Sequence, residues 1–128
     1  MNDEDVATLW RIAHDFANAA RAELDARWRA WTLDLSKTEV HEVVGALLAR
    51  QVTLARTVIS NPGTWTPHAA PVLLRAMADV RISLEWILGS PDERAQRFIE
   101  YGLGQMKLEM EHRKAVLDPS DPDPDQVA

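Results

Sequence analysis

Leu73, Met77, Val80, Leu84 and Ile87 recur at steps of four and three residues, which lines one side of an α-helix. Arg75, Asp79, Ile82 and Trp86 repeat those steps on nearly the opposite side. A helix apolar on two sides is expected to be surrounded, which places Arg75 and Asp79 at least partly inside. Charge is stable inside a protein only when paired, and residues four apart on a helix can meet. The segment therefore predicts a helix packed on both sides and clasped by an Arg75–Asp79 ion pair.

The rest of the chain has the same periodicity. From Asp3 to Trp31 a stripe runs through Val6, Trp10, Ala13, Ala17, Ala20, Leu24, Trp28 and Trp31. Asn2 or Asp3 can cap it, and its alanine-rich middle admits a close neighbour. Ser36 and Glu39 have the spacing of a capping box, with Leu35 and Val40 placed as a hydrophobic staple. The helix they open carries Val40, Val44, Leu47, Leu48, Gln51, Leu54, Ala55 and Val58 on one face. It ends near Ser60, before the turn signal Asn61-Pro62-Gly63. The two-sided helix follows, with Pro67 or Pro71 in its first turn and Gly89 at its end. Ser90, Pro91 and Glu93 then open a fourth helix, whose stripe is Ala95, Ile99, Gly102, Met106, Met110 and Leu117. Gly102 on that stripe predicts a close helix contact.

No strand pattern interrupts these four, and the links between them are short, as in antiparallel neighbours. The expected fold is all-α: an up-down four-helix bundle over residues 1–117, with helix one projecting past the others to recruit a second chain. The remainder, residues 118–128, is acidic and Pro-rich and is expected to be disordered. One domain of this size can fold without staples, and with no cysteine in 128 residues it has neither disulfides nor thiolate chemistry. The acidic start MNDEDV is unlike a secretory signal, and no apolar run approaches the ~20 residues of a membrane helix. A cytoplasmic location without membrane contact is the expectation. The formal net charge is −6, of which Asp118, Asp121, Asp123 and Asp125 supply four. Arg21, Arg27 and Arg29 form a local basic patch on a helix face. That is not the broad basic surface that phosphate binding calls for, so nucleic acid is not an expected partner.

Four residues are candidates for a ligand-binding or structural polar network: Arg75, Asp79, Gln51 and Tyr101. Gln51 sits on an apolar face, where it needs a hydrogen-bond partner. Glu109 and His112 have the Glu-x-x-His spacing of a metal-binding helix. Di-iron bundles need that unit twice, and here it occurs once, so no metal or other cofactor is expected. There is no P-loop, dinucleotide turn, nucleophile elbow or HExxH, and no histidine follows an arginine at the spacing of the HEPN nucleases.

The stretch PVLLRAMADVRISLEWILGSPDERAQRFIEYGLGQMKL, extended to Lys114, resembles part of a bacterial all-helical family of unknown function. Arg75, Asp79, Arg97, Phe98 and Tyr101 occupy the matching places. The family more often has glutamate where Asp79 stands, and its members continue past this region. The resemblance implies a helical fold and no established activity.

Together these features predict a non-enzymatic interaction module: a homo-oligomer, with a dimer favoured, or a binder of another protein partner. Two alternatives remain open. One is a small-ligand or catalytic bundle built on the Arg/Asp network. The other is a regulatory, antitoxin-like protein that docks by its acidic tail.

Overall fold

The computed structural model describes residues 2–117, and all of the secondary structure among them is helical. Four α-helices follow one another: α1 (Asp3–Ala30), α2 (Thr38–Ser60), α3 (Ala70–Leu88) and α4 (Pro91–Leu117). Single 3-10 turns at Leu35–Lys37 and Pro62–Thr64 precede and follow α2. The acidic segment from Asp118 lies outside the described residues.

The helix ends follow local chemistry. Asn2 caps α1 in a reciprocal box with Asp5, with acidic residues in the first turn and Arg27 and Arg29 in the last. Pro71 lies in the first turn of α3, and Gly89 is its C-terminal cap. The start of α2 departs from expectation. Asp34 accepts hydrogen bonds from the backbone N–H and the hydroxyl of Ser36 (2.9 and 2.7 Å), which winds Leu35–Lys37 into a 3-10 turn. Those two bonds, hydroxyl first, lower the Asp34 carboxyl pKa. With Ser36 so engaged, α2 begins two residues later, behind Lys37, which makes no side-chain cap. Leu35 is exposed, so the staple does not form.

The core lies on α2. Val43, Val44 and Leu47 of α2 pack with Val80 and Ile87 of α3 and Ala95 of α4. Trp31, Val40, Leu48, Leu54, Leu84 and Ile99 complete the cluster from its edges. Ile87 is the one large side chain among the described residues with no exposure. Helix α2 packs against α1, α3 and α4, and α3 packs against α4. Helix α1 has no comparable packing with α3 or α4. The region Leu35–Ser60 is long and apolar enough by length and mean hydropathy (1.3) to cross a membrane, a test that the core helix of a soluble protein also passes. Three helices draw on that apolarity.

The turn between α3 and α4 is held by Arg94. Its Nη1 donates to the Trp86 carbonyl at 2.6 Å, and its guanidinium lies 5.2 Å from the centre of the Trp86 ring. A Cβ at Gly89 would stand 2.7 Å from that Nη1, so a glycine here leaves the arginine room. Arg94→Ala is expected to lower unfolding stability by about 1 kcal/mol, the worth of a typical hydrogen bond. Urea denaturation measures it, and an unchanged midpoint would show that the latch contributes nothing.

Candidate functional site

The four polar candidates do not converge. Arg75 and Asp79 are both exposed, and no ion pair joins them among the described residues. The expectation of a buried clasp is corrected, and the physical reason is topological. Helix α1 lies against α2 rather than over α3, so the outer side of α3 has no neighbour, and Ile82 and Trp86 are exposed there too. Asp79 lines an open groove of about 190 Å³ with Arg50, Ser83 and Phe98, and its carbonyl accepts the Ser83 hydroxyl at 2.8 Å. Arg75 is not part of that lining.

Gln51 is half-buried on α2, and its Oε1 is sealed from solvent without a hydrogen-bond partner among the described residues. Tyr101 stands on α4 at 70% exposure. No network links Gln51 or Tyr101 to the α3 pair. Glu109 is paired with Arg113 on the next turn, His112 is exposed, and no group of three metal-ligating side chains occurs among the described residues. His14 accepts from Asn18 Nδ2 at 3.0 Å on the exposed side of α1.

The sequence reading did not anticipate an aromatic cluster between α1 and α2. The His41 ring lies 4.5 Å from Trp28 and 4.4 Å from Trp31, and the two indoles meet edge-on at 6.0 Å. Trp28 also covers Gly45, where a Cβ would fall 2.1 Å from its Cζ3. The signal was available: Trp28 and Trp31 share a face of α1, and His41 and Gly45 share a face of α2. Beside the cluster is a groove of about 340 Å³, walled by Leu24, Trp28, Ala46 and Ala49, with the Arg21–Asp25 pair (3.4 Å) at its rim. It is apolar and holds no histidine, cysteine or nucleophilic hydroxyl.

The largest feature is on α4. Its first three turns continue the core through Ala95 and Ile99. Every residue from Tyr101 to Leu117 is then exposed. The apolar stripe does not stop where the packing stops. Gly102, Met106 and Met110 carry it on with Leu103 at its edge, and Leu117 stands on the same face two turns further, but Arg113, five turns from Ala95, interrupts it between Met110 and Leu117. Met110 is 56% exposed. A Cβ at Gly102 would meet nothing within 4 Å among the described residues, so the close contact expected there is not made within the chain. Lys107 and Glu111 pair on one flank (4.0 Å), and Arg113 pairs from within the stripe with Glu109 at its other edge. It is α4, not α1, whose apolar stripe extends past the packed body.

One family model, described as a family of unknown function (DUF5677), matches residues 41–122. The match begins on α2 and takes in α3 and α4, so the core and the bare stripe both lie inside it. No curated protein and no solved structure matches the chain.

Proposed function

For a chain that belongs to the DUF5677 family of unknown function, we propose a role in association rather than chemistry: a helical, self-associating interaction module. The carrying observation is the uncovered face of α4 that bears Gly102, Met106, Met110 and Leu117, with Arg113 as its one interruption. Methionine and leucine left in water along one helix face are a standing gain for any partner that covers them. In this reading the up-down four-helix bundle is the protomer and α2 is its shared wall. The absence of a converging polar set at Arg75, Asp79, Gln51 and Tyr101 supports the same choice.

The test is mass in solution. Sedimentation equilibrium of the full chain, from low to high micromolar, is expected to give a species heavier than the 14.4 kDa protomer, growing with concentration. A strict monomer across that range overturns the proposal.

A further inference from the structure

We propose that the groove beside Asp79, between α2, α3 and α4, binds a zwitterion of amino-acid size with an aliphatic body. Arg50 holds its anionic end and Asp79 its cationic end. The groove is built within one chain, so this site goes beyond self-association and does not depend on it.

The first argument is how the walls are sorted. Arg50 comes from α2, and a guanidinium only donates hydrogen bonds. Asp79 and Ser83 come from α3, one turn apart, and an ionised carboxylate only accepts. The Ser83 hydroxyl already donates to the Asp79 carbonyl at 2.8 Å, so toward a ligand its oxygen also only accepts. One wall therefore offers donors and positive charge, and the other offers acceptors and negative charge. A ligand that satisfies both carries an anion and a cation at once. A plain anion would meet the Asp79 carboxylate, and a plain cation the Arg50 guanidinium, as like charges in one small space.

Neither charge is used elsewhere. Among the described residues, Arg50 and Asp79 form no ion pair with each other or with a third side chain. By contrast, Arg81 pairs with Glu85 on α3, and Arg97 pairs with Glu93 on α4.

Size and lining set the rest. About 190 Å³ falls short of the roughly 300–1,000 Å³ taken by drug-sized ligands and cofactors, so the site suits a small metabolite rather than a nucleotide. The remaining lining is hydrocarbon. Leu47 and Val80 belong to the core, Ala76 is small, and Phe98 of α4 is 37% exposed. An aliphatic chain of a few carbons covers that surface with gain, and a charged one does not.

Leucine is the probe, titrated into the full chain and followed by amide NMR. Saturable shifts centred on residues 76–83 and Phe98 are expected, with a dissociation constant on the order of 1 mM. Isocaproate lacks the ammonium group and isopentylamine lacks the carboxylate. Each is expected to bind at least about 10-fold more weakly than leucine, the loss of one charged contact. Arg50→Gln is expected to weaken leucine about 10-fold without weakening isopentylamine, and Asp79→Asn to do so without weakening isocaproate. That crossed pattern separates contact with the ligand from general damage to the fold. Arg75→Gln, outside the groove, should change nothing. All three positions are exposed, and the analogue series on the parent chain decides the matter even where a variant fails to fold. Shifts that do not saturate, shifts centred elsewhere, or equal binding of the three probes overturn the site. None of those results bears on self-association, which sedimentation decides.

Discussion

Ile87→Ala is expected to lower unfolding stability by about 2–5 kcal/mol, with loss of cooperative thermal unfolding near ambient temperature. Small domains are stable by only about 5–15 kcal/mol. Ile87 has no exposure and packs where α2, α3 and α4 come together, with Val43, Val44, Leu47, Val80 and Ala95 around it. Those neighbours are backbone-anchored helix residues that cannot all move inward, so much of the vacated volume stays empty. Differential scanning calorimetry checks the expectation. A melting temperature within two or three degrees of the parent would mean that the core repacks freely. The same scan on Ile82→Ala, on the exposed outer side of α3, should show little change, since that side chain is 64% exposed.

The second large effect is a reversal of sign. Alanine in place of a helix-interior glycine normally stabilises by about 1 kcal/mol. At Gly45 it is expected to destabilise by about 1–3 kcal/mol, the cost of overpacking, because the added methyl falls within 2.1 Å of the Trp28 ring. The indole can escape only by leaving His41 and Trp31, whose rings it contacts at 4.5 and 6.0 Å. In a Trp28→Ala background that obstacle is gone, and Gly45→Ala should stabilise instead. Urea unfolding of the four chains in this cycle gives the coupling directly. Additive effects of the same sign would show that Trp28 does not seat on Gly45.

What could be read beforehand was what neighbours in sequence decide. Asn2, Pro71 and Gly89 mark helix ends because capping and the missing proline N–H act within a few residues, and α1, α2 and α4 begin or end within two residues of the expected places. Ser36 misled because a capping-box spacing was present but Asp34, two residues earlier, engaged its N–H and hydroxyl first. The core side of α3 was legible too: Val80 and Ile87 are buried where their periodicity puts them. Its outer side was not. Periodicity shows that a helix has a second apolar face, but whether a neighbour covers it depends on where α1 lands, dozens of residues away. Arg75 and Asp79 were placed inside for that reason and stand outside. The α4 stripe was likewise visible in residue spacing from Ala95 to Leu117, while the point beyond Ile99 at which its intramolecular cover ends was not.

The way α1 sits has a thermodynamic corollary. Among the helices it packs chiefly on α2, through small residues and the Trp28 seat, with Trp10 reaching Trp65 in the following link at 6.4 Å. None of its residues belongs to the Val80–Ile87–Ala95 part of the core. Such a helix can detach as a unit while α2, α3 and α4 stay folded, so the molecule has two cooperative layers with separate opening energies. Residues 41–122, the span the family model matches, contain all of the inner layer but the first three residues of α2. The outer layer is then a segment that can open and close without a claim on the fold beneath it.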